Sequence, residues 1–242
     1  MERKAEMSNY RSMERQFFEN LRLERRPVAI TFRGAPPSGV SKFTGTEPAG
    51  CSFWRLAAEG RTFYTVPSDH YNCAIGSYTH NIALPPERAQ ELEQTLSFMT
   101  SIGYLRMEEV PGIARLPRTP GVVIYAPLGE TPVDPDVVLF WGRPGRIMLL
   151  QEAAIRAGVG SQTNVLARPT CMALPVALSQ GTVASTGCIG NRVYNDIDDG
   201  ELYVAIPGKD VSRVADQAQS IATANAKLSE YHQERRRTLR SE

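Results

Sequence analysis

No stretch of the chain approaches the roughly 18 to 20 apolar residues in a row that a membrane span requires. The charged start Met1-Glu2-Arg3-Lys4-Ala5-Glu6 leads into no apolar segment with a small-residue cleavage site, so no secretory signal is readable. Both absences point to a cytoplasmic protein. An excess of either charge is also missing: 27 Lys and Arg against 26 Asp and Glu leave a formal +1. That balance gives no electrostatic reason to expect nucleic acid or an anionic membrane as partner. There is no Walker A segment, no Gly-x-Gly-x-x-Gly after a strand, no Gly-x-Ser-x-Gly and no His-Glu-x-x-His. Nucleotide-dependent, serine-hydrolase and zinc-protease chemistries are therefore unsupported. Cysteine is scarce at four residues, and in a reducing compartment these read as metal ligands, redox groups or buried core rather than structural disulfides.

What is present is ordinary globular material. With 242 residues, 42% hydrophobic and 22% charged, the chain is long enough for one sizeable core or two small fused ones. Tyr10, Met13, Phe17 and Leu21 make one apolar stripe on an N-terminal helix (residues 1–26), suited to packing on the domain or on a second subunit in a homodimer. Pro27 to Phe32 has strand composition, and Arg33 to Gly50, rich in proline and glycine, reads as loop. Cys51 opens a helix closed by Gly60, Thr62 to Val66 is a strand, and Pro85 to Tyr104 reads as a long helix with Ala89, Leu92, Leu96, Met99 and Ile102 on one face. Pro111 to Pro120 is a candidate join. Beyond it lie strands Val122–Tyr125 and Val137–Trp141, a helix from Arg146 to Ala157, a Cys171 helix closed by Gly181, short strands at 182–185 and 201–206, and a helix from Val211 to about Tyr231. The charged residues 235–242 form a tail.

The cysteines fall into two similarly built units. Cys51 is followed by Asp69-His70-Tyr71-Asn72-Cys73-Ala74-Ile75-Gly76, and Cys171 by Gly187-Cys188-Ile189-Gly190-Asn191-Arg192-Val193-Tyr194. Each unit reads as strand, cysteine-led helix, strand, cysteine–glycine loop and long helix. The expectation is an α/β (α+β) protein of two pseudo-repeated halves, residues 27–110 and 121–234, in one compact unit. Mixed sheets flanked by helices would place a shared site at the interface between halves.

The chemistry follows from the thiols. Cys51 and Cys73 are separated by 21 residues and Cys171 and Cys188 by 16, so neither pair has the tight spacing of a ferredoxin or zinc ribbon. Their number, their distribution two to each half and their placement at helix starts and glycine loops suit a [4Fe–4S] cluster with Cys51, Cys73, Cys171 and Cys188 as ligands. Gly76, Gly187, Gly190 and Asn191 would bring backbone N–H groups and an amide to the cofactor. His70 and Asp69 are candidates for acid–base work and Arg192 for orienting an anionic substrate. The cysteines equally suit burial as small hydrophobes, a reversible disulfide or a structural zinc site. His70 equally suits a loop histidine bonded to backbone, and Arg192 an ion pair with Asp196, Asp198 or Asp199. His80 and His232 read as surface. The leading expectation is an iron–sulfur protein, and if an enzyme then an oxidoreductase, acting on a small molecule or redox partner. The others are a non-catalytic small-ligand module with buried cysteines and a structural zinc protein.

On Cys51-Ser52-Phe53-Trp54 with Ala57, Asp69-His70-Tyr71-Asn72-Cys73 with Gly76, and Gly187 to Tyr194 with Glu201-Leu202-Tyr203, the chain resembles the domain of unknown function 169 family. The likeness runs from about Pro27 to Pro207. It implies a cytoplasmic prokaryotic protein whose cysteines matter and carries no settled activity.

Overall fold

The computed structural model describes residues 2–160 and 165–241. The expected N-terminal helix and charged tail therefore each lose a terminal residue, Met1 and Glu242, to outside the described residues. The chain runs α1 (Glu2–Leu21), β1 (Val28–Arg33), α2 (Ser52–Ala58), β2 (Phe63–Thr65), α3 (Ala74–Thr79), α4 (Glu91–Ser101) and β3 (Val122–Pro127). It continues through β4 (Val137–Gly142), α5 (Pro144–Arg156), α6 (Ala173–Gln180), β5 (Val183–Ser185), α7 (Ile189–Asn195), β6 (Leu202–Pro207) and α8 (Val211–Ser241).

The expectation of mixed sheets is corrected. The named strands form one six-stranded sheet in the order β2-β3-β1-β4-β6-β5, and every pairing is antiparallel. Alternating strands and helices suggest parallel crossovers, but such a crossover takes a dozen or more residues, usually a helix laid across the sheet. At 1.5 Å per residue, α2, α3 and α7 reach only about 10 Å, about half the length of the six-residue strands. From the central β1–β4 pair the order reads outward as β1, β3, β2 on one side and β4, β6, β5 on the other. The strand at Val122–Tyr125, which the boundary expected at residue 121 assigns to the second half, pairs with β1 and β2 of the first. β3 and β6 each end on a proline, Pro127 and Pro207, and each runs into a 3-10 turn, Leu128–Glu130 and Gly208–Asp210.

Alternation along the strands divides the core into two layers. Ala29, Val138, Phe140, Val204 and Ile206 face α1, α5 and α8, where Phe17 meets Phe140 edge-on at 4.9 Å. Val28, Ile30, Tyr125, Leu139, Trp141, Tyr203 and Ala205 face the other way, against Phe53, Trp54, Leu174, Cys51 and Cys171. β3 and β4 are buried along their whole length, which is why both read as unbroken apolar runs. The α1 stripe behaves as its spacing requires, with Met13, Phe17 and Leu21 buried.

Two helices differ from expectation. The Pro85–Tyr104 helix divides into a 3-10 turn at Pro86–Arg88 and α4 from Glu91, and of its expected apolar face only Leu96 is buried, Ile102 being 59% exposed. α8 continues past Tyr231 to Ser241, so Arg235–Arg237 are helical rather than a tail. Its Ala-, Gln-, Glu- and Arg-rich composition favours helix without burial. No helix among the described residues is long and apolar enough to cross a membrane.

Candidate functional site

All four cysteines lie at helix starts on one side of the sheet. Cys51 immediately precedes α2, and Cys171 lies in a 3-10 turn, Thr170–Met172, that leads into α6. The two segments expected as cysteine–glycine loops are helix N-termini: Cys73 caps α3 and Cys188 caps α7. A short side chain before a helix can accept one of the orphan N–H groups of the first turn, and Cys73 does so, its Sγ accepting Gly76 N–H at 3.2 Å. Cys188 instead is fixed through its backbone, whose N–H donates to Thr170 Oγ1 at 2.5 Å. Gly187, at φ +80°, makes the left-handed turn into this cap, and a side chain there would also press on Asn191 Oδ1.

Cys51 and Cys171 are buried, while Cys73 and Cys188 are half-buried. Burial pushes the Cys51 thiol up to about 12, with Cys73 and Cys188 adding repulsion that the Asn191 and Asn195 amides oppose. Burial likewise raises Cys73, to which Cys188 adds, and raises Cys171, to which Cys73, Cys188 and Cys51 add. Every pairing among the four thiols is thereby electrostatically coupled, although they come from opposite ends of the chain. Without a cation the Cys51, Cys73 and Cys171 thiols are held toward their neutral form, because their anions would be poorly solvated and repelled by one another. Among the described residues no three or more His, Cys, Asp or Glu side chains are grouped so as to hold a single metal ion.

The surroundings are apolar and aromatic, with orphaned polar atoms inside them. Phe43, Phe53, Phe63 and Tyr125 pack ring to ring, and Trp54 and Trp141 stand on Tyr203. Ser52 Oγ, Trp54 Nε1, Tyr125 Oη, His70 Nδ1, both amide atoms of Asn191 and Asn195 Oδ1 are buried without a hydrogen-bond partner. Buried polar atoms are normally paired, and the two asparagine amides among these stand against the Cys51 sulfur.

The remaining expected residues divide. His70 is buried, with Nε2 at 2.8 Å from Thr65 Oγ1, and desolvation joined by the neighbouring His80 holds it well below the usual imidazole range. A methyl group at Gly50 would stand 2.9 Å from its Nδ1, so only glycine admits the ring. Asp69 is engaged locally: its carboxylate accepts Val66 N–H at 2.8 Å and lies 3.8 Å from Lys42 Nζ. Arg192 is spent on the chain itself, donating to the carbonyls of Asp198, Thr186 and Glu201, with Asp199 at 3.8 Å. Its fork thus ties the start of α7 to the turn before β6. A side chain at Gly190 would meet only the Tyr194 ring, at ordinary contact distance, so nothing there requires glycine for space.

His80 is corrected from surface to buried: its Nδ1 lies 2.9 Å from the Gly76 carbonyl and its ring 5.3 Å from that of His70. Four further residues were not anticipated. Asn195 and Thr79 reach Cys51 and Cys171 respectively, Thr170 holds Cys188, and the Tyr104 ring, under Arg168 at 4.8 Å, stands beside Cys188 and the Ile189 backbone. Asn195 had a readable signal, since it lies four residues after Asn191 and so on the same helical face; expecting a loop hid it.

The model of one family, the domain of unknown function 169 described as uncharacterised ArCR, matches residues 16–217. The chain belongs to this family. In this domain of unknown function 169 protein the match takes in all four cysteines and every strand of the sheet. No curated protein and no solved structure matches the chain.

Proposed function

We propose that the protein is an iron–sulfur protein whose [4Fe–4S] cluster is held by Cys51, Cys73, Cys171 and Cys188 where two related halves meet, and that it serves one-electron transfer to a small molecule or redox partner. The observation that carries this reading is the convergence of the chain's only four cysteines on one face of one sheet, each coupled to the other three. The relation between halves is supported by the outward order of the sheet and by the matched positions of Cys51 with Cys171 and of Cys73 with Cys188.

The residues fit the group. A four-iron cluster takes one thiolate at each iron, so the sulfurs need not converge on one point as they must for a single zinc, with Zn–S about 2.3 Å. Gly76 N–H and the Asn195 amide already point at sulfurs, as donors that stabilise ligated thiolates do. When bound, the cluster supplies a site that accepts and releases one electron. The protein's own contribution is to desolvate the thiols, to exclude water with the Phe53–Tyr125 aromatic wall, and to leave the half-buried Cys188, beside exposed Ile189 and Val193, nearest to a partner.

The burial of Cys51 and Cys171 also suits a non-catalytic module with thiols in its core. Anaerobic purification with iron and acid-labile sulfide analysis separates the two. About four of each per chain, with the broad visible absorbance of thiolate-ligated iron, are expected, and Cys51→Ala and Cys188→Ala should both lose them. Colourless anaerobic protein without iron sinks the proposal, and stoichiometric zinc released by a chelator with unfolding would replace it with a structural zinc site.

A further inference from the structure

α7 belongs to the second half of the chain, yet its side chains reach the first half's buried cysteine. Asn195 Nδ2 lies 3.5 Å from Cys51 Sγ and donates to Asn191 O at 3.0 Å. The orientation of this amide is fixed by chemistry. An NH2 group has one hydrogen for a carbonyl and one for a sulfur, whereas the flipped amide would set its oxygen against two acceptors. Asn191 Nδ2 approaches the same sulfur closely enough to favour its anion, without the geometry of a formed hydrogen bond. Both asparagines are almost fully buried, and of their four amide atoms only Asn195 Nδ2 makes a well-formed hydrogen bond, the Asn191 amide standing between Cys51 and the Tyr203 phenol without one.

Two buried amides left largely unsatisfied stabilise a core less than leucines of similar volume would. Their arrangement makes sense if Cys51 Sγ carries charge when the site is loaded, since a thiol is a weak acceptor and a metal-bound thiolate a much stronger one. Thr79 approaches Cys171 from α3 in the mirrored direction, from first half to second. Its hydroxyl, however, donates to Gly76 O at 2.9 Å. The side-chain amide at Cys51 is therefore a donor without a full counterpart at Cys171.

We propose that Asn195, supported by Asn191, is a positioning residue that donates to the Cys51 thiolate and raises the reduction potential of the cluster. The inference rests on the iron–sulfur reading and adds to it a residue and a direction. A hydrogen bond to a ligating sulfur withdraws charge and favours the more negative, reduced state.

The test uses the full chain, purified without oxygen and loaded with iron and sulfide. Asn195→Leu keeps the volume and removes the donor, and Asn195→Ser, too short to reach the sulfur, serves where leucine does not pack. With iron and sulfide content unchanged, the midpoint potential should move to more negative values and the iron–cysteine stretching bands in resonance Raman spectra should move upward. Ile155→Ala, an exposed position on α5 across the sheet from the cysteines, should leave both unchanged. Loaded Asn195 variants with wild-type potential and wild-type bands overturn this inference alone. Wild-type protein that takes up no iron overturns the cluster reading, and this inference with it.

Discussion

His80 gives the fold a pH dependence that its sequence position does not suggest. The ring is buried and its Nδ1 lies 2.9 Å from the Gly76 carbonyl, which can only accept, so Nδ1 carries the proton and Nε2 is left without a partner. Burial brings the group down from 6.5 to about 4, opposed in part by that carbonyl. Between these values the unfolded chain takes up a proton that the folded chain refuses, so stability is complete above pH 6.5 and falls as the pH drops through the window. At about 1.4 kcal/mol per pH unit, the loss reaches roughly 2 kcal/mol at pH 5 and roughly 3 kcal/mol near pH 4. His70, shifted in the same direction by burial and by His80, adds to it. Urea unfolding of reduced, metal-free protein at pH 7 and pH 5 measures the loss directly. His80→Asn retains an amide donor for Gly76 O and does not titrate. The wild type should lose about 2 kcal/mol more than the variant between the two pH values, and equal losses would refute the buried neutral imidazole.

Glu14→Ala should cost about 3 kcal/mol in denaturant unfolding, because the nearly buried Glu14 carboxylate accepts from Arg26 Nε at 2.6 Å and from Gly129 N–H. Glu130→Ala, which removes a more exposed partner of the same arginine at 2.8 Å, should cost under about 1 kcal/mol. Gly208→Ala would put a methyl carbon 1.8 Å from the Pro135 carbonyl oxygen and should cost more than about 3 kcal/mol, read as loss of folded protein or of unfolding midpoint. Gly145→Ala, with open space around it, should stay within about 0.5 kcal/mol of wild type. At alkaline pH, metal-free protein should lose stability as the pH rises from 9.0 toward about 12, since the unfolded chain releases the Cys51 proton before the folded chain does. Cys51→Ser should flatten that part of the profile, and an unchanged slope would show that the thiol is not held neutral.

The strands and the apolar stripe of α1 were legible because burial writes itself into hydrophobic period: Met13, Phe17 and Leu21 on a helix, Val137 to Trp141 as a continuous run. The position of each cysteine at or before a helix was legible at Cys51 and Cys171, where an apolar helical spacing follows the residue. Strand direction was not, since Val122–Tyr125 carries no mark that sets it between β1 and β2 rather than beside β4. The two cysteine–glycine segments looked like loops because Gly76, Gly187 and Gly190 are poor helix formers. Six- and seven-residue helices held by tertiary contacts override that preference, and with the helix of α7 unseen the shared face of Asn191 and Asn195 was unseen too. His80 read as surface because nothing local distinguishes a solvated histidine from one pressed against Phe32 at 6.0 Å.

Under the proposed iron–sulfur reading, the site would belong to the whole chain. Each half supplies one deep cysteine, Cys51 or Cys171, and one half-buried cysteine, Cys73 or Cys188, so either half alone has two thiols. A separated half would also expose β1 or β4 as a new sheet edge, fully buried along its length in β4, which is an aggregation hazard rather than a stable surface. Asn195 to Cys51 at 3.5 Å is one of several bonds that join residues 27–110 to residues 121–234, with Phe32 N–H to Asp136 Oδ2 at 2.7 Å and Arg168 to Glu109 at 3.0 Å among the others. Joining the halves in one chain fixes the local concentration of the second pair of thiols against the first. The proposed four-iron centre, which needs four thiolates at once, would gain from that arrangement.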